Sequence, residues 1–414
     1  MPTIPQDRLI DSTLLLASDG YQFISKRCQR YQSDLFQTRL LFNKTICFKG
    51  EEAAKVFYDP EKFTRKDAAP KRLQKTLFGR GGVQGMDGEV HRHRKQMFMS
   101  LMTEEGIQQL ADLTKEQWHL YAQKWSKLDK VVLFKEVREI LARASCAWTG
   151  VPLTESEVKQ RTKDLGAMID GSGAVGLKHW QGRRSRKRAE KWIENIIQQV
   201  RYSQLEVSED SALYAIANHR DLDGELLDKH TAAVEIINIL RPTVAIARYV
   251  VFAALALHEY PEHQQKLFDG GEDYCKWFVQ EVRRFYPFFP FAAASVYQDF
   301  DWHGYHFPQG TKVLLDLYGT NHDPQLWTDP DTFNPERFSQ WDGSKFNFIP
   351  QGGGDYHTNH RCPGEWITIE LMNISLKFMT QSLEYDVPKQ NLEISLSTMP
   401  TAPKSGFVIS NVSC

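Results

Sequence analysis

The stretch FNFIPQGGGDYHTNHRCPGEWITIELMNISLKF, residues 346–378, decides how the rest of the chain is read. Cys362 is followed at once by Pro363, Gly364 and an apolar stripe. Ile367, Leu371, Ile374 and Phe378 recur at spacings of four, three and four, which places them on one helix face. Pro363 suits the first turn of such a helix, where a missing N–H costs nothing. A cysteine here feels the positive end of the helix dipole and nearby free N–H groups, and both favour thiolate over thiol. The run Gly352-Gly353-Gly354 lets the preceding backbone approach something flat and bulky. Taken alone, the segment reads equally well as a glycine loop ahead of a buried free cysteine.

Three upstream segments shift that balance. FVQEVRRFYP places Glu281 and Arg284 three residues apart on one helix face, and DPQLWTDPDTFNPERF, residues 323–338, supplies a second arginine, Arg337. DGEVHRHRKQMF, residues 87–98, sets His91 and Lys95 one helical turn apart. Around them the pattern is mainly helical. Apolar residues repeat at three and four from about 102 to 165, in one long run over 225–260 broken only by Pro242, and again at 271–286 and 364–381. Residues 36–50, 383–387 and 405–412 read as short strands. No repeat or linker divides the chain, so one mainly α domain with small β-sheets is expected over residues 1–414.

Composition narrows the function classes. Of 414 residues, 41% are hydrophobic and 25% charged, and the formal charge is −1. Such values allow a large core and give no support to a general nucleic-acid binder. The six cysteines (28, 47, 146, 275, 362 and 414) are scattered without a CxxC pair, so neither a disulfide framework nor a structural zinc is expected, and a reducing cytoplasm fits better. The N-terminus lacks the pattern of a signal peptide, and no run reads as the ~20 apolar residues of a membrane span.

Together and in this order, the segments resemble the cytochrome P450 family, from about residue 30 to the C-terminus. The resemblance implies the P450 fold, with haem b between a long distal helix and the cysteine loop. Cys362 matches the axial iron ligand. Glu281, Arg284 and Arg337 match the structural charge cluster beneath the haem. His91, Lys95 and His360 match positions facing the haem propionates. A thiolate ligand pushes electron density onto the iron and favours O–O cleavage.

Two departures from the family pattern carry the functional expectation. The cysteine loop is long, with many residues between Phe348 and Cys362, which alters the face where electron donors dock. In the long helix, AAVEIINILRPTVAIARYVVFAALAL, Arg241 and Pro242 stand where ordinary members carry an acid and then an alcohol that relay protons to dioxygen. Arginine stays charged and cannot act as that donor, and proline has neither hydroxyl nor N–H. Arginine does bind a carboxylate through a planar fork. A lone cation in an apolar helix needs an anion, and no acid lies within one turn; Glu235 is six residues back, on a different face. Pro242 is expected to bend the helix and crowd residue 238.

The Arg-Pro pair resembles the fatty acid peroxygenase branch of the family, as do FGRGGVQGMDGEVHRHRKQMF (78–98) and IPQGGGDYHTNHRCPGE (349–365). That branch implies that long-chain fatty acids are hydroxylated at C2 and C3 with hydrogen peroxide and without a redox partner. The carboxylate bound to Arg241 supplies the acid–base catalysis. Gln84 stands where alkene-forming members carry histidine, so little decarboxylation is expected. Phe78, Ile169, Phe288, Phe289 and Phe291 are candidate walls for the acyl chain, although core packing explains most of them equally well. The alternatives are a conventional monooxygenase fed by redox partners and a non-catalytic haem protein that carries fatty acids.

Two further signals are set aside. Gly171 to Gly176 spell GxGxxG but follow a helical pattern, not the strand a dinucleotide site needs. The basic run QGRRSRKRAEKW, residues 181–192, reads as a solvated helix face.

Overall fold

The computed structural model describes residues 3–414. Among the described residues helices dominate, and three small sheets flank them. The strand-like region near the N-terminus is a hairpin, Leu35–Leu40 against Asn43–Phe48. Strand Asn43–Phe48 then pairs parallel with Lys312–Asp316, which continues antiparallel to Phe291–Val296 and on to Phe63–Thr64. The C-terminal strand Val408–Ser413 joins Lys130–Val132 and Glu384–Asp386 in a second sheet.

The region from 102 to 165 divides into three helices, each with a local reason to start or stop. Glu104–Trp125 begins where the Thr103 hydroxyl accepts the Gly106 N–H at 3.0 Å. Leu133–Thr149 ends at Gly150, whose φ of 78° a side chain would strain. Val158–Asp170 follows, and its successor Leu177–Arg201 carries the basic run. Arg184, Lys187 and Arg188 of that run are exposed, whereas Arg186 is buried and its Nη1 donates to the Leu77 carbonyl at 3.0 Å.

At the centre run Lys229–Ala245 and Ala247–Glu259, nearly continuous, with Asp228 capping the first by accepting from the His230 and Thr231 amides. Pro242 lies inside the first helix, but the break falls one turn later at Ile246, whose N–H reaches only back to Thr243 O at 3.1 Å. By length and composition the pair passes for a membrane span, with 31 residues and an 18-residue window of mean hydropathy 1.6, contrary to the expectation that no run would. Burial explains the apolarity: 94% of that window lies inside the protein, packed in the main core. Packed against Ala247–Glu259, Gly271–Phe285 and Glu365–Gln381 carry the charge cluster and follow the cysteine loop, respectively.

Candidate active site

Cys362 lies two residues before Gly364, the cap of helix Glu365–Gln381. Its backbone N–H donates to Gln351 O at 3.2 Å, and its Sγ accepts a long contact from Gln351 Nε2 at 3.8 Å. The thiol is pushed up from its ordinary value, not down as the helix position suggested. Burial and the charge of Glu365 outweigh the Gly364 N–H and the positive charges of Lys95 and Arg283, which favour thiolate. A bound metal cation would favour the thiolate instead.

Contacts within the protein also call for the triple glycine. A side chain at Gly352 would meet the Tyr58 hydroxyl at 3.0 Å, one at Gly353 would meet Lys345 O at 2.8 Å, and one at Gly354 would meet Asn359 Oδ1 at 2.6 Å. The loop's own packing requires them, helped by φ of 95° and 85° at Gly352 and Gly354.

Beneath the loop, Glu281 and Arg284 are both completely buried. Their carboxylate and guanidinium meet through two bonds, of 2.7 and 2.8 Å, and Arg337 Nε adds a third contact at 3.2 Å. Arg284 also donates to Asn321 O, and Asn321 Oδ1 accepts the Ile349 N–H at the start of the cysteine loop. A second buried cluster, which the sequence reading missed, joins Glu365 to both Arg283 and Arg361. The signal was present: Arg361 and Glu365 stand four apart across the start of the helix.

His91, Lys95 and His360 gather beside the loop. The rings of His91 and His360 stack with centroids 4.0 Å apart, and His360 Nε2 lies 3.5 Å from Asp87. Burial pushes both imidazoles down, His91 to about 3 and His360 to about 4. Lys95 Nζ donates to the carbonyls of Asn359 and Arg361, bracing the residues just before the cysteine. Nearby Arg65, also unread in the sequence, donates to Ala293 O at 3.0 Å and covers the Phe57 ring. Burial pushes Arg65 down to about 10 and Lys95 to about 8, and among the described residues neither has a carboxylate at ion-pair distance. Two buried cations without anions beside a metal-binding thiol fit a group that carries its own two carboxylates, as haem b does.

Arg241 is 5% exposed. Its Nη2 donates to Asn238 Oδ1 at 3.2 Å, and among the described residues its Nε has no partner and no acid pairs with it. Burial, and then repulsion from Arg186, push the guanidinium down to about 9, which still leaves it charged at neutral pH. Asn238 was not singled out from the sequence, and it changes the picture of Glu235. The two residues are bonded at 2.9 Å, so Glu235 is coupled to Arg241 through one amide. Asn238 Nδ2 also donates to Gln84 Oε1 at 3.3 Å, which brings Gln84 to the same spot. The alcohol next to Pro242, Thr243, has its hydroxyl tied to Ile239 O at 2.9 Å within its own helix.

Phe78, Ile169 and Phe288 share one apolar cluster with Leu73, Leu77 and Ala245, and Ala245 is one turn beyond Arg241. Phe289 is 40% exposed and only edges Phe288. Phe291, placed on a strand, packs into a separate cluster with Phe23, Phe36 and Leu314. Those two candidates therefore lie outside the cluster below Arg241.

The chain is similar to known proteins. The cytochrome P450 family pattern matches residues 273–409. The putative cytochrome P450 120 of Synechocystis is 24% identical over 420 residues, covering 94% of this chain and 92% of that one. Nicotine N-demethylase CYP82E4 of Nicotiana tabacum is 33% identical over 120 residues, and the match spans only 22% of its length. Among solved structures, cytochrome P450EX alpha (CYP152N1) with myristic acid superposes at a TM-score of 0.97, with 48% identity and full coverage of both chains. Cytochrome P450SP alpha (CYP152B1) gives 0.96 and 48% over 97% of this chain and 99% of that one. A variant of cytochrome P450 OleT in complex with arachidonic acid gives 0.97 and 38%, over 100% and 99%. The chain belongs to the cytochrome P450 family of haem-thiolate oxidoreductases, in its CYP152 fatty acid peroxygenase branch.

Proposed function

We propose that this protein uses hydrogen peroxide to hydroxylate long-chain fatty acids at C2 and C3, as a single haem domain in the cytoplasm that needs no redox partner. The observation that carries the reading is Arg241, a buried guanidinium with an open Nε and no acidic partner among the described residues. Similar structures hold myristic and arachidonic acids. A fatty acid carboxylate is the anion that would satisfy Arg241 through two parallel bonds.

Cys362 would ligate the iron of haem b, and Arg65, His91, Lys95 and His360 would face its propionates. The haem, when bound, supplies the C–H oxidation with oxygen drawn from peroxide. The chain's own groups do the rest. Arg241 anchors the carboxylate, which takes a proton from peroxide and returns it to the departing oxygen as water, so that the substrate completes the acid–base machinery. Anchoring also selects the site of attack, because only the carbons next to the carboxylate lie near the reacting centre. Pro242 leaves the Asn238 carbonyl without its usual helical donor and removes the alcohol. Thr243 does not replace that alcohol, since its hydroxyl is already committed. Gln84, held by Asn238, hydrogen-bonds without titrating near neutral pH, which favours hydroxy acid over terminal alkene. Phe78, Ile169 and Phe288 contribute apolar wall for the acyl chain.

The test is to incubate haem-loaded protein with a saturated fatty acid and peroxide, without reductant, and to identify the products by mass spectrometry. Products hydroxylated at C2 and C3 are expected, and Arg241→Ala should lose them while keeping its haem. Turnover that needs NAD(P)H and a reductase, or an Arg241→Ala variant of normal activity, overturns the proposal.

A further inference from the structure

We propose that Glu235 is a positioning residue for this reaction: through Asn238 it aims Arg241 at the incoming carboxylate, and through the Val83 amide it sets the loop that carries Gln84. This inference rests on the reading of Arg241 as the carboxylate anchor.

Glu235, Asn238 and Arg241 follow one another at steps of three along the distal helix. The amide of Asn238 has one donating and one accepting end, whereas the Glu235 carboxylate only accepts and the Arg241 guanidinium only donates. A single orientation satisfies both neighbours: Nδ2 to Glu235 Oε2 at 2.9 Å, and Oδ1 from Arg241 Nη2 at 3.2 Å. The second Nδ2 hydrogen goes to Gln84 Oε1 at 3.3 Å, which fixes the sense of the Gln84 amide as well. Glu235 Oε1 meanwhile accepts the Val83 N–H at 3.0 Å and Arg94 Nη1 at 2.9 Å.

The interposed amide explains why the acid is not next to the arginine. A carboxylate in direct contact would neutralise Arg241 and compete with the substrate. Asn238 passes on the direction and leaves the charge free. Glu235 is completely buried, and burial pushes its carboxyl up from the ordinary value. An apolar pair would fill the same space at no electrostatic cost. Arg94 balances the charge of Glu235, and the orienting bonds to Asn238 and Val83 are what the carboxylate adds.

The experiment compares wild type, Glu235→Gln and Arg241→Ala as haem-loaded proteins. Binding is followed by the change in haem absorbance, with a saturated fatty acid and with the fatty alcohol of the same chain length as ligands. In Glu235→Gln an amide N–H2 can face Asn238, turn it over, and set a donor against the guanidinium. The dissociation constant of the acid is expected to rise about tenfold, the scale of losing one orienting hydrogen bond to a charged group, while that of the alcohol stays unchanged. A loss shared equally by acid and alcohol, or no loss, overturns the inference. Should Glu235→Gln not fold, Asn238→Leu, which leaves Glu235 paired to Arg94, decides by the same acid-selective criterion. If wild type and Arg241→Ala bind the acid equally, the anchor reading itself has failed. If Arg241→Ala alone loses the acid preference, only the role of Glu235 has.

Discussion

Replacing Glu281 by glutamine should loosen the cysteine loop from below. The carboxylate accepts four bonds: two from Arg284, one from Arg337 Nε at 3.2 Å and one from the Asn334 N–H at 2.8 Å. Glutamine keeps the shape, removes the charge and turns one acceptor into a donor that faces a guanidinium. Breaking a buried ion pair from one side costs roughly 3–5 kcal/mol. Arg284 keeps its bonds to the carbonyls of Asn321, Pro330 and Thr332, so the low end applies, about 3 kcal/mol. With about 2.1 cal/mol/K per residue, a chain of 414 residues unfolds with roughly 0.9 kcal/mol/K, and the melting point should fall by about 3–4 °C. Because Arg284 reaches Ile349 through Asn321, haem retention should fall with it. Differential scanning calorimetry and the haem-to-protein absorbance ratio are the assays. A melting point within about 1 °C of the parent, on the same scale, together with full haem content, would refute the reasoning.

Other outcomes follow from single contacts. Thr243→Val removes a hydroxyl that bonds only its own helix, so peroxide-driven turnover should survive with stability lowered by about 1 kcal/mol; a collapse of activity in product assays would show a proton role for it. Gln84→His should raise the share of terminal alkene measured by gas chromatography, because histidine can titrate where glutamine cannot. His322, pushed down to about 3 by burial and then by Arg284, stays neutral in the folded chain while the unfolded chain protonates near 6.5. Stability should therefore decline as pH drops from about 6.5 toward 3, and His322→Gln should flatten that decline in melts taken from pH 7 to 4.

The sequence was legible where chemistry is local. Glu281 and Arg284 are one turn apart, the stripe after Cys362 marks its helix, and Arg241 announces itself as a cation in an apolar run. Contacts between distant segments were not legible. Arg94 meets Glu235 across 141 positions, and Arg65 reaches Ala293 across 228. Asn238 was within reach, since steps of three join it to both Glu235 and Arg241, but its meaning depends on which way the amide turns. The glycines before Cys362 were read as room for something flat and bulky, and the contacts that a side chain there would make with Tyr58, Lys345 and Asn359 were not legible. Phe291 looked like its neighbours in FYPFFPF, and only the strand register sends it to another cluster.

A crystal structure with a long-chain fatty acid bound tests the central claim most directly. The account predicts both carboxylate oxygens at about 2.7–2.9 Å from Arg241 nitrogens, with Asn238 still accepting from Nη2. A carboxylate held elsewhere in the pocket, with the guanidinium paired to some other anion, would contradict it.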